Sequence, residues 1–358
     1  METAHSSNNA ARGLAGQNVA VIGAGAWGTT LALHAARQGL PVRLWARRPE
    51  FAARLAEERE NSAFVPGQKF PAALSVTADP AEAVEGAAVV LWVVPSHAFR
   101  SAVRLALSHA DADAVHVSAS KGIEDESFAT MTKILDEESA GGRPLRVGVL
   151  SGPSFAHEVA QGLPTAVTLA ARDQADGLRV QSLLSAPVFR IYTSGDVLGV
   201  ELGGALKNVY AVAAGICDGL NLGLNARAAL ITRALAEMIR LAKVLGANPM
   251  TLSGLSGAGD LILTATGELS RNRRVGLRLG AGESLEAILA GRREVAEGVK
   301  NAKSVWGLAR SLEVSAPMAR EVYRVLYEGK QPRQGMVDLL TRRLKNELPP
   351  DLDGGVEP

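Results

Sequence analysis

The chain has 358 residues, with 38 lysines and arginines against 37 aspartates and glutamates, for a net charge of +1. Near-neutrality excludes a nucleic-acid binder working by wholesale counterion release, and a single cysteine, Cys217, excludes an internal disulfide or a multi-cysteine metal site. The six histidines show no HxH or HExxH spacing, so no metal is expected, and the length predicts two domains.

Residues 1–16 are polar, lack an apolar leader segment and are expected to form a disordered tail. The first strand, Val19–Ile22, runs into Gly23, Gly25 and Gly28, a G-x-G-x-x-G turn that opens a helix. The first glycine permits the turn, the second lets backbone approach a diphosphate, and the third lets helix and strand pack closely. The helix N-terminus adds free N–H groups and a positive dipole end. A dinucleotide is the expected ligand.

The second strand, Val42–Trp45, leads to Arg47 and Arg48. Dinucleotide-binding units usually place an acid here to hold a ribose hydroxyl. Two readings stand: a solvated pair of surface charges, or guanidinium partners for the 2′-phosphate of NADP. The second predicts that NADPH is used at least as well as NADH.

Further strands are expected at Ala88–Val94, Val115–Ser118, Val147–Leu150, Ala166–Leu169 and in "FRIYTS", residues 189–194. Apolar runs without alternation suit strands buried on both faces of a parallel sheet. The intervening "HAFRSAVRLAL" and "SFATMTKILDEES" read as helices, giving a doubly wound α/β unit. Its longest buried-looking run, "AAVVLWVV", is too short to span a bilayer, and the expected location is the cytoplasm. Lys121 follows one strand, at the carboxyl edge where open sheets bind ligands. Gly152, Pro153 and Ser154 follow another, with a helix starting near Ser154.

After Gly195 the strand signals stop. Ile231, Leu235, Met238, Ala242 and Leu245 recur on one helical face, and four later segments are also helical. The expected architecture is a Rossmann-like doubly wound α/β domain over residues 17–194, then an all-α domain over 195–346 and a disordered tail over 347–358. The apolar helices could form a homodimer face, and core packing explains them equally well. Cys217, in "AVAAGICDG", is expected to be a plain core residue. Lys207 and Asn208 sit in a helix made almost wholly of Gly, Ala, Val and Leu. A lysine there either snorkels to the surface or is functional, because burying it alone is costly. Farther on come Asp260, Thr264, Ser270, Arg271 and Asn272. "SRNRR" taken alone reads first as a solvated basic turn, but its donors are also those a phosphate dianion needs.

Together "VIGAGAWGTTLA", "SKGIE", "LSGPSFAHEV", "ELGGALKNVYAVAAGICDGL", "LSGAGDLILTATGELSRNRRVG" and "VAEGVKN" closely resemble the bacterial NAD(P)-dependent glycerol-3-phosphate dehydrogenases, from about residue 18 to about 345. The resemblance implies reversible reduction of dihydroxyacetone phosphate to sn-glycerol 3-phosphate, the backbone of phospholipids. It implies Lys207 as the catalytic acid/base. It implies Lys121, Gly152, Ser154, Asp260, Ser270, Arg271 and Asn272, with Lys207, as substrate contacts. On the cofactor side it implies Trp27, Arg47, Lys121, Ala156, Arg271, Val295 and Glu297, beside the glycine turn with Ala26. The family often has serine or threonine where this chain has Ala26, so one side-chain hydrogen bond is lost and the backbone N–H remains. No nucleic acid, membrane span or metal is implied. The rival readings are a related two-domain dehydrogenase for a 3-hydroxy acid or a phosphogluconate, and a redox-sensing regulator without turnover.

Overall fold

The computed structural model describes residues 17–139, 144–290, 296–344 and 346–347. Its first half alternates strands with helices: β1 (Asn18–Ile22), α1 (Ala26–Arg37), β2 (Val42–Trp45), α2 (Pro49–Glu58), β3 (Leu74–Thr77), α3 (Pro80–Val84), β4 (Ala87–Trp92) and α4 (Ser96–Ala106). There follow β5 (Val115–Ser118), α5 (Met131–Glu137), β6 (Arg146–Ser151), α6 (Ala156–Ala160), β7 (Thr165–Ala171), α7 (Gln174–Leu184) and β8 (Phe189–Ser194). The strands form one sheet in the order β3-β2-β1-β4-β5-β6-β7-β8. The order reverses at β1, which pairs with both β2 and β4, and the crevice at such a reversal is where open α/β sheets take ligands. The turn after β1 opens into it.

Two features of the sheet depart from expectation. Strand β3 was not anticipated: only Leu74 of its four residues is buried, so this edge strand lacks the apolar run that marks the others. The sheet is also not wholly parallel, because β7 runs antiparallel to β6 while β8 follows β7 in parallel. A parallel return needs a long crossover, usually a full helix. Between β6 and β7 only the five-residue α6 forms.

Helix α5 starts at Met131, later than "SFATM" suggests. Glu126 and Phe128 adopt φ of 69° and 54°, and Glu124 N bonds Ala129 O at 2.9 Å, so the chain makes a tight turn first. Likewise the helix expected near Ser154 begins at Ala156.

Beyond β8 the described residues are helical: α8 (Val197–Gly219), α9 (Gly223–Val244), α10 (Pro249–Leu252), a π turn over Leu255–Gly259, α11 (Asp260–Thr266), α12 (Arg271–Gly280), α13 (Leu285–Leu289), α14 (Glu297–Ser311), α15 (Pro317–Tyr327) and α16 (Pro332–Leu340). Helix α16 stops at Leu340, although the segment "QGMVDLLTRRLKNE" reads as helical in the sequence; Lys345 lies outside the described residues. Helix α12 replaces the basic turn expected at "SRNRR", with the Ser270 hydroxyl capping it by accepting from Arg273 N at 3.2 Å.

Helix α8 is the axis of this half. It is long and apolar enough to cross a bilayer, yet 89% of its most apolar window is buried inside the protein. Val200 packs with Val149 of β6 and Ala170 of β7, while its other faces join the helical core, Cys217 included. Its contact with α12 is backbone on backbone. A Cβ at Gly215 or Gly219 of α8, or at Gly276 or Gly280 of α12, would fall within 3.0 Å of a carbonyl oxygen on the facing helix. Small residues spaced four apart let the two axes close to this distance.

Two buried carboxylates tie α8 to its surroundings. Glu201 accepts from Thr132 N at 2.9 Å and Thr132 Oγ1 at 2.7 Å, joining α8 to the start of α5. Glu237 of α9 accepts from the Tyr210 hydroxyl at 3.2 Å and from Ala319 N at 2.9 Å, joining α8, α9 and α15. Burial pushes both carboxyl groups above their ordinary pKa.

Candidate active site

The glycine turn has a separate steric reason for each glycine. Gly23 sits at φ +120°, and a Cβ there would lie 2.5 Å from Val93 O. A Cβ on Gly28 would fall within 3.0 Å of Gly23 O. Gly25 differs: a Cβ there would meet no protein atom within 4 Å. It is the N-cap of α1 and makes no side-chain cap, so the N–H groups at Ala26 and Trp27 face open space at the positive end of the helix. Asn61, fully buried, braces the turn by donating to Ala24 O at 3.0 Å and Thr29 Oγ1 at 2.8 Å. The Trp27 indole N–H is buried without a hydrogen-bond partner among the described residues. Ala156 borders the same helix, its carbonyl accepting from Thr30 Oγ1 at 3.1 Å. These features fit a dinucleotide diphosphate.

Arg47 and Arg48 are both exposed but not equivalent. The Arg48 guanidinium lies over the Phe51 ring, 5.4 Å from its centroid. Arg47, just beyond the end of β2, makes no such ring contact among the described residues.

The catalytic lysine candidate does not snorkel to the surface but is buried. Lys207 is 6% exposed and donates to Asp260 Oδ1 and to Thr264 Oγ1, the latter at 2.7 Å. Lys121 reaches the other oxygen of the same carboxylate, with Nζ 2.6 Å from Asp260 Oδ2, and also donates to Gly152 O at 3.1 Å. The π turn makes this meeting possible. Its Ser256 carbonyl rests on Gly203 of α8, where a Cβ would not fit, and so delivers Asp260, first residue of α11, opposite Lys207. The helix dipole favours a negative charge at that position.

Two ammonium groups thus share the one buried carboxylate of Asp260, and Glu297 adds a more distant negative charge acting on Lys207. Burial lowers the Lys207 pKa, Asp260 opposes that fall, and Lys121 adds to it; the result is about 8. Lys207 is thus poised to hold or release a proton near neutral pH.

The phosphate-type donors stand at the start of α12. Arg271 is exposed at its first position, and Ser270 is buried at the cap. Asn272 is engaged: it donates to Asn208 Oδ1 at 2.8 Å and accepts from Gly298 N at 2.9 Å. Asn208 in turn approaches Glu297 Oε2 at 3.4 Å and Lys121 O at 3.5 Å. Glu297 thereby borders the Lys121 loop from α14. Ser154 donates its hydroxyl to Gly152 O at 2.9 Å. Val295 lies outside the described residues.

Sequence reasoning assigned no role to Asn301 and none to Thr264. Asn301, 1% exposed, donates to Lys121 O at 3.3 Å and Ala205 O at 3.4 Å, and so pins the lysine loop to α8 and α14. Its signal was present: a polar residue on the Val299–Ala302–Val305 face of a helix.

Comparison with known proteins gives this geometry its context. Two family models match, NAD-dependent glycerol-3-phosphate dehydrogenase N-terminus over residues 18–176 and the C-terminus over residues 196–337. The glycerol-3-phosphate dehydrogenase (NAD(P)+) of Desulfotalea psychrophila is 51% identical over 333 residues, covering 92% of this chain and 98% of its own. That of Citrifermentans bemidjiense is 50% identical over 331 residues, covering 92% and 99%. The crystal structure of glycerol-3-phosphate dehydrogenase from Coxiella burnetii superposes with a TM-score of 0.87 at 40% identity, over 91% of this chain and 99% of that one. With both halves matched in order, the chain belongs to the NAD-dependent glycerol-3-phosphate dehydrogenase family.

Proposed function

We propose that the chain is an NAD(P)-dependent oxidoreductase that reduces dihydroxyacetone phosphate to sn-glycerol 3-phosphate, with Lys207 as the proton donor. The carrying observation is the buried Lys207–Asp260–Lys121 cluster, reached from both halves of the chain. On this reading residues 17–194 bind the cofactor and residues 195–346 supply the catalytic lysine and the phosphate grip. A soluble phosphorylated substrate agrees with a cytoplasmic setting.

A dihydronicotinamide cofactor held by the glycine turn and α1 would supply the hydride for reduction of the ketone. The chain's residues manage the charge that follows. Negative charge develops on the carbonyl oxygen, and the Lys207 ammonium stabilises it and delivers the proton. Asp260 keeps that ammonium aimed, since its other oxygen is fixed by Lys121. In the reverse direction neutral Lys207 accepts the alcohol proton. Arg271 and the N–H groups at the start of α12 grip the phosphate, which fixes a three-carbon substrate against the lysine. The glycine turn and α1 hold the cofactor diphosphate, and Arg47 takes the 2′-phosphate of NADP when present.

Following NADPH consumption with dihydroxyacetone phosphate tests this directly. Lys207→Ala lowers kcat by at least about a thousandfold while NADPH binding stays within a few-fold of wild type. Near-wild-type kcat in that variant refutes the assignment.

A further inference from the structure

Two exposed residues, His97 and Lys300, lie in segments read from the sequence but were given no role there. His97 lies in the first turn of α4, just beyond β4, and Arg47 lies just beyond β2. Both strands flank β1, whose continuation is the glycine turn, so the two side chains stand on either side of that turn at the carboxyl edge of the sheet. Lys300 comes from α14, in the helical half. The two helices meet across Gly122: a Cβ there would lie 2.5 Å from Ser96 Cβ and 3.2 Å from Asn301 Oδ1. His97 and Lys300 are the chain neighbours of those two residues.

The charges of Lys300 and Arg47 both act on the His97 ring, lowering its pKa along with desolvation, which is the largest cause. None of the three forms an ion pair among the described residues. The carboxylates on adjoining segments are turned elsewhere. Glu297, one turn before Lys300, faces Asn208, and Glu124 is clamped by Arg100 at 2.6 Å. Two cations, Arg47 and Lys300, therefore converge on the His97 imidazole from distant parts of the chain, with no ion pair to any of the three among the described residues. Such an arrangement repels itself unless an anion fills it.

We propose that His97 and Lys300 join Arg47 in one cationic site for the phosphate groups of the dinucleotide, with Lys300 reaching in from the helical half. The inference rests on the cofactor reading above and adds two specificity residues to it. The glycine turn between Arg47 and His97 supplies the reason for phosphate chemistry. Two sources offer it, the 2′-phosphate of NADPH and the diphosphate bridge common to both cofactors. Either way, the site shares α14 with Asn301, which pins the Lys121 loop.

Fluorescence titration with NADPH and with NADH tests the site. Lys300→Met and His97→Gln are each expected to weaken NADPH binding about tenfold, whereas Lys300→Arg stays near wild type. The salt dependence of NADPH binding becomes shallower in Lys300→Met. Weakening confined to NADPH assigns the site to the 2′-phosphate, and equal weakening of both cofactors assigns it to the diphosphate. Wild-type affinity for both cofactors in Lys300→Met and His97→Gln overturns the proposal while leaving the cofactor reading intact. A wild-type protein that binds neither cofactor overturns the cofactor reading itself.

Discussion

The shared carboxylate of Asp260 makes a prediction with a definite sign. Lys207 has a pKa near 8 because burial pushes it down, Asp260 pushes it up and Lys121 pushes it down. In ketone reduction the ammonium form is active, so kcat is flat at low pH and falls as pH rises through about 8. In alcohol oxidation the neutral amine is active, and kcat rises through the same region. Asp260→Asn removes the opposing charge. An adjacent opposite charge is worth about 1–3 pKa units, so the reduction profile moves acidward by that much. Lys121→Met removes the like charge and moves it alkaline, by about 1 unit or less, since Asp260 lies between the two ammonium groups. The assay is kcat for dihydroxyacetone phosphate reduction at saturating substrate and cofactor, measured across about pH 5–10. Both variants lose activity, but the displacement of the midpoint is independent of that loss. Profiles that stay in place, or move in the same direction in both variants, would refute the account of Lys207 as the titrating group.

Three further outcomes follow from the geometry. Gly276→Ala drives a methyl into Val212 O of α8; it should cost about 1–3 kcal/mol of stability and raise KM for dihydroxyacetone phosphate with little change in NADPH affinity, whereas wild-type melting and KM would contradict the backbone contact. Arg271→Ala should raise KM for the phosphorylated ketone about a hundredfold and leave unphosphorylated dihydroxyacetone almost unaffected; equal effects on both count against a phosphate grip. Arg47→Ala should reduce the NADPH-to-NADH efficiency ratio about tenfold and Arg48→Ala much less, because Arg48 already lies on Phe51; an unchanged ratio in both removes the 2′-phosphate assignment.

How far the chain could be read depended on burial. Strands such as Ala87–Trp92 announce themselves because both faces are covered, so the apolar run is unbroken. Leu74–Thr77 has a single buried residue and looks like a loop. The reversal of β7 is invisible locally, since direction is set by what connects two strands and not by either strand. In the site, Lys207 was conspicuous because a lysine among alanines and valines is chemically out of place, and Lys121 because it follows a strand. Their meeting on opposite oxygens of Asp260 depends on a π turn whose sequence, "LSGAG", resembles any flexible loop. The basic reading of "SRNRR" failed at the backbone level, because the capping hydroxyl of Ser270 converts the turn into a helix start. His97 and Lys300 stood inside segments that were read, but nothing set them apart: a lone surface histidine or lysine is ordinary, and only their proximity is informative.

The glycine seam between α8 and α12 bears on how the protein is made. The sheet emerges first during synthesis, but β6 and β7 keep an apolar face open until Val200 arrives to cover it. Helix α8 then cannot complete its own burial until Gly276 and Gly280 are made, far later in the chain. The helix so covered is long and apolar enough to cross a bilayer. Burial of α8 is therefore completed only by sequence far downstream of it, and a bulkier residue in the seam obstructs that closure as well as loosening the folded state.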